Sequence, residues 1–362
     1  MGYAARLNSF SPVTSIAPTR SSWRQTRAAA LWSALLLSSL FPLAAADTKG
    51  MLERRLVTLG YYPVSLENYY DKLIAHGVLE GRLRSLVVDT GWGWSTMAEP
   101  LGRAWPSPAE RGVALVDPVF GVLTNLASAK GKLALLPALY LSGVVFSNQP
   151  VIVQKLDSLP FQQDGVLGVD FLLRNYAILD CAGRRLYIRD RPPPPETRAV
   201  IIKSLALSRF RAVDLKLRRG LGVTCGATLN GQPITLLLDS GSAFTMLDRH
   251  SAKAANVAWS SKTRSAVQGF RGRHTKVYEV SRVSLALGDW PVTVPAMKCG
   301  DLSAWNLGPK AKNPALADGL IGMSELTREG AFIDFGAGKL WLKPDPVSYL
   351  RAETGTGAAP SQ

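Results

Sequence analysis

The sequence predicts an all-β (mostly β) chain built from two related halves. Three observations predict it. A strand-turn-strand segment occurs twice without a gap, a second segment recurs further on at almost the same spacing, and the composition is rich in turn formers. The 362 residues include 32 Gly and 23 Pro, and long periodic helical stretches are scarce.

The first repeat runs from Leu79-Glu80-Gly81 to Asp89-Thr90-Gly91 and recurs from Leu229-Asn230-Gly231 to Asp239-Ser240-Gly241, an offset of 239 − 89 = 150. Each copy reads as a hairpin: a strand, a turn at Glu80-Gly81 or Asn230-Gly231, then an apolar strand ending in Asp. The second repeat pairs residues 164–188 with 318–342, at an offset of 322 − 168 = 154. Asp164/Asp318, Gly165/Gly319, Gly168/Gly322, Asp180/Asp334 and Leu186/Leu340 are identical between the copies. Alternating apolar stretches at 139–153 and 283–297 lie between the blocks and read as strands.

Pro192 to Pro195 separate the two copies. Four prolines in a row favour a stiff, extended linker. The expected organisation is a first lobe at 51–190, a linker at 191–198, a second lobe at 199–347 and a disordered tail at 348–362. Residues 1–46 read as a signal peptide. Arg20, Arg24 and Arg27 precede an apolar run at 28–41, and the small residues Ala44 and Ala46 suit a cut before Asp47. That run is shorter than the roughly 20 residues of a spanning helix. The mature chain is therefore expected in the periplasm or secreted, without stable membrane insertion.

The whole chain has a formal charge of +15, and removing residues 1–46 takes away four arginines and no acid, leaving 15 − 4 = +11. The basic residues are scattered, so a solvated basic surface is expected and no nucleic-acid module is visible. Cys181, Cys225 and Cys299 form no CxxC, and His76, His250 and His274 share no metal-ligand spacing. No metal or cofactor is expected. An oxidising compartment would permit one disulfide, with Cys225 and Cys299 as the favoured pair, against three buried free thiols.

In each half an apolar strand delivers a carboxylate at its end: Val87-Val88-Asp89 and Leu237-Leu238-Asp239. A hydroxyl residue follows, Thr90 or Ser240, and then Gly91 or Gly241, which allows close approach of another backbone. One Asp-Thr/Ser-Gly means little. Two copies, each followed by Val166-Leu167-Gly168 or Leu320-Ile321-Gly322, are far more specific. This pattern resembles the pepsin-like and retropepsin-like aspartic proteases, and residues 165–180 look especially like bacterial retropepsin-like proteins. The resemblance covers most of residues 60–343. It implies a bilobal acid-protease fold with two related barrel-like lobes in one chain, a monomer with Asp89 and Asp239 as the catalytic pair, and a polypeptide substrate. It also implies that Gly168 and Gly322 pack beneath the aspartate loops. Two carboxyls about 3 Å apart cannot both ionise comfortably, so they share a proton and activate a water for attack on a peptide carbonyl.

The resemblance further implies flap hairpins that cover the substrate. Val119-Phe120-Gly121 and Gln268-Gly269-Phe270-Arg271-Gly272 are their expected places, with ordinary surface turns as the alternative. Phe120, Gly121, Gly269 and Phe270 are thus candidate substrate contacts. Lobe 2 continues with the small Ser242, as the family does, whereas lobe 1 has Trp92-Gly93-Trp94-Ser95. Trp92 is expected to line a subsite, with core packing or a distorted loop as alternatives. Aspartic endopeptidase is the leading reading. A bilobal peptide-binding pseudo-protease and a binder of anionic envelope polymer are the competitors.

Overall fold

The computed structural model describes residues 48–111, 116–117, 121–122, 131–156, 163–218, 222–260, 265–268, 274–310 and 316–343. The expected signal peptide and the expected tail lie outside these residues. The described chain is mostly β, as expected.

The turns form where the sequence placed them. Glu80 and Gly81 have φ of +52° and +73°, and Asn230 and Gly231 have +50° and +80°. Two successive left-handed residues make the mirror-image turn whose twist suits a two-residue hairpin. Strand Lys72–Leu79 accordingly folds back onto Arg82–Val88, with Leu79 facing Arg82. Strand Gly222–Leu229 folds back onto Gln232–Leu238 in the same way, with Leu229 facing Gln232.

The second repeat adds a central strand to each hairpin. Gly165–Leu167 runs parallel to Arg82–Val88 and antiparallel to Thr96–Ala98. Gly319–Ile321 runs parallel to Gln232–Leu238 and antiparallel to Met246–Asp248. Asp164 and Asp318 fix these additions: each carboxylate accepts from a strand amide, Ser85 N or Thr235 N, at 2.8 Å. A short helix follows each strand, Val169–Arg174 and Met323–Arg328.

The two copies meet in a shared sheet. Strand Ile178–Asp180 pairs antiparallel with Phe332–Asp334, with Leu179 facing Ile333, Ile178 facing Asp334 and Asp180 facing Phe332. Since 179 + 154 = 333, this register is reciprocal, with equivalent residues meeting at its centre. Arg185–Ile188 and Tyr62–Tyr69 extend the sheet on one side. Lys339–Leu342 and Arg211–Arg218 extend it on the other.

Two helices pack on this sheet, and sequence reading missed both. Thr48–Thr58 precedes the first copy and Pro195–Leu207 the second. Leu52 and Leu56 of one, and Ile201 and Leu205 of the other, are buried with Ile178, Tyr187, Phe332 and Trp341. The expected linker at 191–198 is therefore helical from Pro195 onwards. Proline at the first helical position gives up only an amide that a helix start leaves unpaired. No helix among the described residues is long and apolar enough to cross a membrane. Cys181, Cys225 and Cys299 are all buried free thiols, so the favoured Cys225–Cys299 bond is absent. Their strands are not neighbours: Cys225 faces Leu215 and Leu236, while Cys299 faces Leu247 and Tyr278. Burial pushes the Cys225 and Cys299 thiols up to about 12 and about 11.

Candidate active site

Each Asp-Thr/Ser-Gly loop leaves a strand that enters the core as it ends. Arg82 and Leu83 are exposed, whereas Leu86, Val87 and Val88 are buried; Gln232–Leu238 shows the same gradient. The apolar-apolar-Gly strand then carries the pairing one residue further. Asp89 N donates to Leu167 O at 3.1 Å and Asp239 N to Ile321 O at 3.0 Å. Gly168 and Gly322 sit directly against the loops. A Cβ on Gly168 would lie 2.6 Å from Trp92 O, and one on Gly322 would lie 2.5 Å from Phe244 O. Any larger residue would push the loop away.

The two loops grip one another. Thr90 N donates to Ser240 Oγ at 3.0 Å, and Ser240 N donates to Thr90 Oγ1 at 2.9 Å. Thr90 Oγ1 donates to Leu238 O at 2.9 Å and Ser240 Oγ to Val88 O at 2.8 Å. Both residues are wholly buried, so all four bonds form away from water, where an unmade partner is expensive.

This grip brings Asp89 and Asp239 together. A Cβ on Gly91 would lie 2.5 Å from Asp239 Cγ, and one on Gly241 would lie 2.5 Å from Asp89 Cγ. Gly91 N donates to Asp89 Oδ1 at 2.8 Å, and Gly241 N to Asp239 Oδ1 at 2.9 Å. The two carboxyls are within hydrogen-bonding reach of each other, and burial raises the proton affinity of both. The Asp89 charge raises Asp239 further, and the Lys72 ammonium pulls both down. The bond between the carboxyls couples them, so the raised proton affinity and the shared proton belong to the pair.

Sequence reading missed the residues that brace the loops. Ser95 N and Oγ donate to the buried Asp170 carboxylate at 2.6 and 2.7 Å, and Gly168 N donates to Ser95 Oγ at 3.0 Å. In the second copy Thr245 Oγ1 donates to the buried Glu325, and Gly322 N donates to Thr245 Oγ1 at 3.2 Å. The signal was present, since Ser95 and Thr245 differ by the same 150. Lys72 was missed as well; its ammonium donates to Gly241 O.

Trp92 packs its ring against Ile74, Val87 and Val166 on the sheet face, and its indole Nε1 donates to Thr96 Oγ1 at 2.9 Å. These contacts give the half-buried ring a packing role beside the subsite role expected of it. The same face of the second copy is covered by Leu302, Trp305, Leu307 and Leu316. Trp92→Ser is expected to lower stability by about 2–3 kcal/mol, below the range for a fully buried Trp. Thermal melts check this. The peptides released from a denatured substrate are expected to stay the same.

The two expected flaps each adjoin a pair of described strands. Val116–Asp117 pairs with Gly121–Val122, placing Gly121 at the start of a strand. Ser265–Gln268 pairs with His274–Glu279. Phe120, Gly269 and Phe270 lie outside the described residues. Among the described residues, no group of three or more His, Cys, Asp or Glu side chains is placed to hold a metal ion.

Residues 225–324 match the model of the aspartyl protease family. The matched stretch begins in the hairpin before Asp239 and ends just beyond Gly322. It thus takes in one complete aspartate loop, the strand that anchors it and Thr245. Aspartyl protease chemistry is supported at the level of this family. Among curated proteins, none matches the chain.

Proposed function

We propose that the chain is an aspartic endopeptidase with two pepsin- or retropepsin-like lobes in one polypeptide, residues 51–190 and 199–347. One observation carries the reading: the reciprocal Thr90–Ser240 grip that holds two partly buried carboxyls against each other. A pair placed this way can share a single proton. The ionised member takes a proton from a water between the two, and the water oxygen attacks the peptide carbonyl carbon. The protonated member polarises the carbonyl oxygen. As the tetrahedral intermediate collapses, the C–N bond breaks and the leaving amine receives a proton from the pair.

The family match supports protease chemistry, and the N-terminal sequence supports action on polypeptide in the periplasm or outside the cell. The pseudo-protease reading rests chiefly on Trp92; the packing of its ring on the sheet face and the pairing of both aspartates favour the endopeptidase.

Cleavage of denatured casein over a pH series, with and without pepstatin, tests the proposal. Pepstatin-sensitive cleavage is expected, with a maximum in mildly acid solution, because the raised proton affinity of the pair keeps one proton in place well above the ordinary carboxylate range. Casein left intact at every pH would refute an endopeptidase and favour a peptide-binding module.

A further inference from the structure

Lys72 breaks the symmetry of the site. Leu73 faces Val88 across the hairpin, so Lys72 stands one step further along, beside Asp89. Its ammonium crosses to the other copy and donates to Gly241 O, in the loop that carries Asp239. The turn that delivers it is a constrained one. Tyr70 and Asp71 have φ of +50° and +56°, a region that non-glycine side chains enter at a cost. The equivalent position in the second copy, 72 + 150 = 222, is Gly222. A Cβ there would already lie 3.0 Å from Leu237 Cδ1 and 3.5 Å from Leu316 Cδ1. Among the described residues, the cation acting on the carboxyl pair comes from one copy alone.

We propose that Lys72 is a positioning residue for the Asp89–Asp239 pair, fixing the Gly241 loop and favouring the singly ionised pair. Three charged groups act on one another here: the two carboxyls and the Lys72 ammonium. Burial opposes ionisation of both acids, and the Asp89 charge opposes ionisation of Asp239. Lys72 is the counterweight to these effects on both acids. Its charge offsets that of the singly ionised pair and leaves the three groups neutral together. The working range of the site is thereby moved towards lower pH. The activity arm of the test rests on the protease reading; the stability arm does not.

Lys72→Met keeps the apolar stem and removes the charge, Lys72→Gln is a second uncharged variant, and Lys72→Arg keeps the charge. For casein cleavage, Lys72→Met is expected to move the pH–rate profile up by about one unit or more. Lys72→Arg is expected to stay near wild type. A lower rate with an unmoved profile overturns the proposal.

Melting temperatures from pH 4 to 8 supply the independent arm, for wild type, each uncharged variant, Asp239→Asn and the double variants. The raised Asp239 contributes stability that is present below the ordinary carboxylate range and lost as pH rises through its folded value. Lys72 limits that loss. The deficit of an uncharged variant is thus expected to grow from pH 4 to pH 8 and to shrink in the Asp239→Asn background. An equal deficit at both ends of the range would leave Lys72 only its hydrogen bond and overturn the proposal. A protein that cleaves nothing yet shows the growing deficit sinks the protease reading and upholds the role of Lys72.

Discussion

Asp89→Asn and Asp239→Asn are each expected to reduce casein cleavage by roughly ten-thousandfold, with the double variant no worse than either single one. The carboxyls act as a unit, so removing one member costs nearly as much as removing both. Asn retains the shape and can still accept from Gly91 N or Gly241 N, so the fold is expected to persist. The effect on stability has the opposite sign. The wild-type pair holds its proton more tightly when folded, so it contributes less and less as pH rises through neutrality. Asp239→Asn removes one of the two groups that share that proton. Its melting temperature is expected to fall less between pH 4 and pH 8 than that of wild type. Substantial cleavage by either single variant, with folding verified by circular dichroism, would rule out a shared-proton mechanism.

The second large effect is expected at Ser240. Ser240→Ala deletes both the acceptor for Thr90 N and the donor to Val88 O, and both backbone groups sit in a buried site. Each unpartnered group costs about 1–3 kcal/mol, so a loss of about 2–6 kcal/mol is expected. Ser240→Thr restores a hydroxyl of the kind already present at Thr90 and is expected to stay within about 1 kcal/mol of wild type, allowing for the added methyl group. Urea unfolding of the two variants side by side makes the comparison. Similar midpoints for Ala and Thr would mean that the grip contributes little. Cleavage is expected to fall with the Ala variant, since the grip sets the separation of the carboxyls.

Much of this arrangement was legible because it is written twice. Asn230-Gly231 announces its turn through residues that tolerate left-handed backbone, and the offset of 150 then identifies Glu80-Gly81 as the same turn despite a glutamate in it. The same offset pairs Thr90 with Ser240, and the second offset, 154, pairs Gly168 with Gly322. What escaped was information of another kind. The helix at Pro195–Leu207 was hidden because prolines were read as excluding helix, although they are welcome at its first turn. Its apolar residues at 201 and 205, like those at 52 and 56, show the four-residue spacing of a packed helix face. The place of the Trp92 ring depends on which sheet face needs cover, and no local pattern reveals that. Lys72 escaped because attention fell on residues that match between the copies, and it is one that does not.

That mismatch has a consequence for how such a site can exist at all. An assembly of two identical chains must present every residue twice, so a lysine beside one carboxyl would bring a second lysine beside the other. Two ammonium groups would then face a pair able to hold one negative charge comfortably. A glycine at that position would instead supply none. One lysine with one Gly222 at the equivalent position is attainable only where the halves are encoded separately, as they are in this single polypeptide. Covalent continuity here does more than hold the halves near each other. It releases them from having to be the same, and the first residue to use that freedom stands next to the carboxyls.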